Sequence, residues 1–253
     1  MMTWQNLAAC PALKAPTLPD FKPNDPRHSD RQGDWWDGFY ADRSKAVPFF
    51  GPAPDECLAE WVKDGPIKRG AALDLGCGNG RNAVFLARSG FAVEGVDYSP
   101  AAITWAAQRA AEAGVAVSLR QSSVFELSIP AASYEFVYDS GCFHHLAPHQ
   151  REPYVQLVWA ALKPGGYFGL VCFRPEGGSG LSDQQVIEGK NLSGGLGYTE
   201  AALRAIWAPS FKIHSLRQMR AQAGDSGLFG QSFLWAMLAQ KPGGGEVGSP
   251  EAA

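Results

Sequence analysis

The stretch Leu73–Ala83, "LDLGCGNGRNA", sets an apolar run against a turn with glycine at positions 76, 78 and 80. The run reads as a β-strand, and the following "RNAVFLARSG" carries apolar residues at helical intervals and stops at Gly90. Strand, turn and helix in this order put the glycines at the carboxyl end of a strand, where a doubly wound sheet opens its ligand crevice. There Gly76, Gly78 and Gly80 let backbone approach a ligand closely. A dinucleotide fingerprint needs its third glycine one residue later, where Arg81 stands, and the turn lacks the Lys-Ser/Thr pair of a P-loop. It suits an uncharged or cationic nucleoside better than a phosphate. Asp97 ends the next apolar run, about twenty residues past the first glycine, a position from which a carboxylate accepts hydrogen bonds from a ribose hydroxyl pair. Asp74 adds a second carboxylate just before the turn.

Outward from this unit the pattern repeats. "FAVEGVD" reads as a second strand, and "SPAAITWAAQRAAEAG" as a helix capped by Ser99, with Pro100 at its first position and Gly114 at its exit. "VSLRQSSVF", "YEFVYDSG" and "YFGLVCF" have strand composition, and helical stretches around "HQREPYVQLVWAAL" and "TEAALRAIWA" separate the later ones. Alternating strands and helices imply an α/β protein with a Rossmann-like, doubly wound parallel sheet. "FKIHSLRQMR" and "SFLWAMLAQK" lack a helical period and read as a terminal antiparallel strand pair. Upstream, "DECLAEWVKDG" has the spacing of a short amphipathic helix that Asp55 is suited to cap. Residues 1–33 read as a flexible arm, 34–241 as one domain whose segment 34–54 is an aromatic lid, and 242–253 as a disordered tail.

Composition narrows the function classes. The chain has 253 residues, 45% of them hydrophobic, enough for one sizeable core. A net charge of −3 with scattered Lys and Arg offers no basic stripe for nucleic acid. No apolar run reaches the roughly twenty residues of a membrane span, and no basic-then-apolar leader opens the sequence. Five cysteines at irregular positions do not form a disulfide framework, so a soluble cytoplasmic protein is expected.

The segment Leu73–Ile103 resembles the cofactor half of class I S-adenosylmethionine-dependent methyltransferases. The resemblance implies a seven-stranded sheet of order 3-2-1-4-5-7-6 with strand 7 antiparallel. It further implies that Asp74 and the backbone of Gly76, Gly78 and Gly80 lie against the methionine part of the cofactor, that Asp97 holds the ribose and that Tyr98 flanks the adenine. Where such families carry an acid after strand 3, this chain has Ser123 and Val124. From "DWWDGFYADRSKAVPFF" through "LKPGGYFGLVCF" to "FGQSFLWAMLAQK" the chain is also similar to bacterial thiopurine, small-thiol and tellurite-resistance methyltransferases.

Chemistry beyond the cofactor is expected from Tyr138–His149, "YDSGCFHHLAPH", which holds three of the five histidines just after the fourth strand. Cys142, His144, His145 and His149 have donor types that suit zinc, but their spacing is not that of a structural zinc site, and sequence neighbours seldom both turn inward. The reading taken is a pocket edge without metal, where Asp139 or one of the pair His144 and His145 takes a proton and Cys142 borders the acceptor. Asp139 would also border the methyl group. Trp35, Trp36, Tyr40, Phe49 and Phe50 offer π faces to a sulfonium and a dry lid over a small substrate. Arg174 and Tyr198 flank a glycine-rich segment expected to touch substrate. The activity expected is methyl transfer from S-adenosyl-L-methionine to the sulfur of a small thiol, with hydrogen sulfide, methanethiol or a thiopurine-like compound as acceptor. Tellurite or another oxyanion, oxygen or nitrogen of a small metabolite, and cofactor binding without turnover are the alternatives. Sequence leaves the oligomeric state open.

Overall fold

The computed structural model describes residues 30–190, 192 and 194–243, with side chains from residue 34 onward. Most of the arm and all but the first two residues of the tail lie outside them. Helix α1, Asp30–Ala41, begins within the stretch read as arm and carries its helical run through Gly38. Then follow α2 (Glu56–Asp64), β1 (Ala71–Leu75), α3 (Arg81–Arg88), β2 (Ala92–Asp97), α4 (Pro100–Glu112), β3 (Ser118–Gln121) and β4 (Tyr134–Ser140). The chain continues through α5 (Arg151–Ala161), β5 (Leu162–Phe173), α6 (Asp183–Ile187), α7 (Glu200–Trp207), β6 (Lys212–Gln218) and β7 (Leu234–Gln240). Among the described residues no helix is long and apolar enough to cross a membrane.

The seven strands form one sheet in the order β3-β2-β1-β4-β5-β7-β6, with β7 antiparallel to both neighbours and the other pairs parallel. Both the expected order and the terminal antiparallel pair are present. Strand alternation distributes side chains to the two faces. On one face Leu73, Leu75, Val137 and Phe168 pack with Tyr154 of α5 and Trp207 of α7. On the other, Ala72, Phe136 and Tyr138 pack with Trp61 of α2 and Leu86 of α3. Ser99 caps α4 as expected, its hydroxyl accepting from the Ala102 N–H at 3.0 Å.

Asp55 corrects a sequence expectation. It precedes α2 but makes no side-chain cap hydrogen bond to it. Its fully buried carboxylate instead accepts from Arg81 Nη2 at 2.8 Å, Asn82 Nδ2 at 2.8 Å and Tyr138 Oη at 2.6 Å. The buried guanidinium of Arg81, the first residue of α3, needs an anion more than the start of α2 needs a cap. The same corner binds the end of the chain, because Glu56 N–H donates to the Phe229 carbonyl and Phe229 N–H to the Pro54 carbonyl. Glu56 then accepts from Arg217 and Arg220.

Asp55→Ala should destabilise the protein by about 3–5 kcal/mol, because it strands a buried guanidinium. Tyr138→Phe, which removes one of three side-chain donors, should cost about 1 kcal/mol. Urea unfolding of the two variants against the parent measures both.

Candidate active site

Strand order reverses between β1 and β4, and a cavity of about 490 Å³ opens over the carboxyl ends of the strands there, within the roughly 300–1,000 Å³ range of small-molecule sites. Its first half is built by the ends of β1 and β2. Gly76 has φ 67°, and a Cβ there would stand 2.7 Å from Cys142 Cβ, so only glycine lets the turn close against the loop after β4. Gly78 N–H donates to Asp97 Oδ2 at 2.8 Å and Ser99 N–H to Asp97 Oδ1 at 2.9 Å. Burial pushes the Asp97 carboxyl up to about 6 against these bonds. Asp74 is buried too, and its Oδ2 has no hydrogen-bond partner. Burial pushes its carboxyl up to about 8; Arg81 opposes the shift, while Asp139, Asp55 and Asp97 add to it. Tyr98, 44% exposed, stands at the rim, and Ser123 and Val124 line the same half. The Ser123 hydroxyl accepts from Phe125 N–H at 3.3 Å.

The second half lies between the lid and the ends of β4 and β5. Trp36, Tyr40, Cys142, His144 and His145 line it, so both neighbouring histidines reach the cavity, against the sequence expectation. A short 3-10 turn, Phe143–His145, makes this possible by bringing the two rings to 4.4 Å between centroids. His144 stacks on Phe173 at 3.8 Å and its Nδ1 accepts from the Phe173 N–H at 3.3 Å. That bond leaves the hydrogen of neutral His144 on Nε2, as a donor. His145 meets the edge of Trp36 at 4.7 Å. Burial holds His144 well below the usual histidine range, helped by its neighbour, and pushes His145 down to about 4. Both imidazoles are neutral near pH 7. Burial raises the Cys142 thiol well above its ordinary value, with Asp139 and Asp97 adding to the effect. Among the described residues no group of three or more His, Cys, Asp and Glu side chains is placed to hold a metal ion.

Five residues expected at the site lie elsewhere. Asp139 shares the β4 face of Val137, turned toward α5, where it accepts from Cys142 N–H at 2.8 Å, Phe143 N–H at 2.9 Å and the Tyr154 hydroxyl. It shapes the loop that carries the histidines and does not face the cavity. Gly80 is the left-handed cap of α3, where a Cβ would stand 2.8 Å from Ala106 Cβ; it packs α3 against α4. Phe50 is buried under the lid against Trp105. The Arg174 guanidinium lies over Trp235 and donates to the Ser232 carbonyl, and the Tyr198 hydroxyl accepts from Arg151 within the core.

The sequence reading missed the turn's own polar side chains. Asn79 Nδ2 donates to the Phe49 carbonyl at 3.0 Å and Arg81 Nη1 to the Ala53 carbonyl at 3.1 Å, so the glycine turn holds the lid segment directly. Three polar residues in "NGRN" were the available signal. Phe229, Gln231 and Phe233, from the loop before β7, also line the cavity, and nothing local in the sequence marks them.

Residues 72–166 match the family model described as a methyltransferase domain. An uncharacterized methyltransferase of Synechocystis is 35% identical over 99 residues, 39% of this chain and 45% of that protein. A ubiquinone biosynthesis O-methyltransferase of Caulobacter vibrioides is 30% identical over 152 residues, 55% of this chain and 58% of that protein. The chain spans about half the length of the first curated relatives it matches. A solved structure described under the conversion of a disulfide bond into a thioacetal group during echinomycin biosynthesis superposes with a TM-score of 0.64 at 24% identity, covering 85% of this chain and 94% of that one. The sheet is the Rossmann-like one of the methyltransferase fold, and residues 72–166 within it match a methyltransferase domain. The residues present fit S-adenosylmethionine: a buried carboxylate oxygen without a partner suits a cationic amino group, and among the described residues no lysine lines the cavity to repel a sulfonium.

Asp74, protonated near pH 7 without ligand, must lose its proton to receive an ammonium group. Binding of the demethylated cofactor should therefore strengthen from pH 6 to 8 and release protons at pH 7. Calorimetry in buffers of different ionisation enthalpy reads the release, and Asp74→Asn should abolish it. Asp97→Ala should weaken binding more than about tenfold, the loss of a charge-assisted pair of hydrogen bonds.

Proposed function

We propose that this protein is a methyltransferase that uses S-adenosylmethionine to methylate the sulfur of a small, uncharged or monoanionic thiol. The observation that carries the reading is the charge inventory of the cavity. Among the described residues, Arg81 is the one cation in its lining. Its guanidinium is already engaged by Asp55, the Ala53 carbonyl and Ser140 Oγ. An oxyanion such as tellurite would meet no free positive group, and burying it unpaired would be costly. A thiol needs none. Its ordinary pKa of about 8.5 makes it partly thiolate at neutral pH, and its soft sulfur is compatible with aromatic walls.

When bound, S-adenosylmethionine supplies a methyl group on a positively charged sulfur. Asp97 and the Gly78 backbone hold the nucleoside end, and Asp74 holds the amino group. Trp36 and Tyr40 close the acceptor side and exclude water, and a dry chamber favours the pairing of unlike charges over their solvated separation. His144 is fixed as a donor and can orient the acceptor. Among the described residues no hydrogen bond occupies the His145 ring nitrogens, and the ring is neutral, so it is the group that can take a thiol proton. A base held near pKa 4 is weak, which favours an acceptor acidic enough to ionise on its own. Transfer to an oxygen is the second reading, because the ubiquinone biosynthesis O-methyltransferase of Caulobacter vibrioides shares 30% identity over the matched segment.

Purified protein with labelled cofactor should transfer methyl to aromatic thiols at least about tenfold faster than to the matching phenols, and not measurably to tellurite. Transfer to phenols alone would replace sulfur with oxygen, and turnover of tellurite would overturn the charge argument. His145→Gln should lower kcat for alkyl thiols, which stay largely protonated, by up to about 10²-fold and for the more acidic aromatic thiols far less, while calorimetric affinity for the demethylated cofactor stays within about twofold.

A further inference from the structure

We infer that Asp37 is a positioning residue, which docks the lid helix on the start of α4 and, through Ser99, connects it to Asp97. The inference deepens the proposed function and rests on it for its ligand-bound half. Asp37 Oδ1 accepts from the Ala101 N–H at 2.8 Å and from the Ser99 hydroxyl at 3.0 Å. The first turn of a helix has N–H groups without intrahelical partners, and here α1 supplies the acceptor for one of them. Ser99 is fully buried and uses every group it has: N–H to Asp97, hydroxyl hydrogen to Asp37, and hydroxyl oxygen to the Ala102 N–H. The carboxylate assigned to the ribose and the carboxylate that docks the lid are thus separated by one residue.

The position of Asp37 in α1 gives this contact its effect. Trp36, its neighbour, presents its ring to His145 at 4.7 Å, and Tyr40, one turn on, lies so close to the glycine turn that a Cβ on Gly78 would stand 2.5 Å from its hydroxyl. The rest of the lid segment has its own attachments, since Asn79 and Arg109 hold the Phe49 and Phe50 carbonyls. Loss of Asp37 therefore frees α1 and leaves residues 48–53 in place, so the variant folds. A ligand on Asp97 steadies Ser99 and with it the lid, and by reciprocity a docked lid strengthens ligand binding.

Hydrogen exchange of the α1 amides in ligand-free protein tests the latch without any assumption about activity. Protection should fall about five- to tenfold in Asp37→Ala, the scale of a lost cap, and stay within about threefold of the parent in Asp37→Asn, which keeps an acceptor oxygen. Equal protection in the parent and Asp37→Ala overturns the latch. Added S-adenosylhomocysteine should raise protection in the parent and raise it less in Asp37→Ala, and an equal rise in both overturns the coupling. No binding to the parent would remove the functional reading and the coupling with it, while the ligand-free comparison still decides the latch. With a working acceptor, Asp37→Ala should raise KM about fivefold or more and change kcat less, and the asparagine variant should recover KM.

Discussion

The pairing of Arg81 with Asp55 beneath the cavity is the contact on which the other arrangements depend. Arg81 begins α3 directly below the glycine turn, and its charge cannot be left alone in a buried place. Asp55 answers it from the start of α2, Tyr138 and Asn82 complete the carboxylate's hydrogen bonds, and Phe229 covers the guanidinium at 4.5 Å from ring centroid to Cζ. Four segments far apart in sequence meet at one ion pair. Such a pair adds little net stability over apolar residues of the same shape, but removing one partner is costly, so it fixes which segments come together.

The same pair determines the electrostatics above it. Asp55, Asp74, Asp97 and Asp139 crowd the floor and its surroundings, and Arg81 answers Asp55 alone by contact. Asp139 is satisfied by backbone N–H groups and Tyr154. Asp97 is satisfied in part, and Asp74 keeps a buried oxygen with no partner. The deficit of positive charge falls on the cofactor side of the cavity. On the other side Tyr40, Cys142, His144 and His145 are all neutral near pH 7, so the two halves of the cavity differ in charge.

The sheet and its cofactor edge were legible because their signals are local. A strand, a glycine turn, a helix and an acid at the next strand end can be read within thirty residues; alternation of elements implied the α/β class, and the strand order came from the family resemblance. The acceptor half was legible only as a neighbourhood. Asp139 and Cys142 are three residues apart, yet strand alternation turns Asp139 to the α5 face while the loop brings Cys142 to the cavity. His144 and His145 were expected to diverge, as neighbours on a strand would, but a 3-10 turn sends both inward. Phe229 and Phe233 arrive from the far end of the sheet, a placement set by strand order and not by any motif. Asp55 looked like a cap because its sequence position is that of one, and only the buried arginine shows why its side chain turns away.

The antiparallel position of β7 between β5 and β6 has a consequence for how the molecule is made. Strand β7 is made after β5 and β6 yet lies between them in the sheet, so β5 and β6 stay unpaired along one edge until it arrives. At roughly 5–20 residues per second of synthesis, that edge is exposed for seconds, during which another chain could add to it. Phe229 and Phe233 come with the same hairpin. The nascent chain can therefore display its glycine turn early, but the chamber opposite acquires its far wall only when synthesis has passed β7.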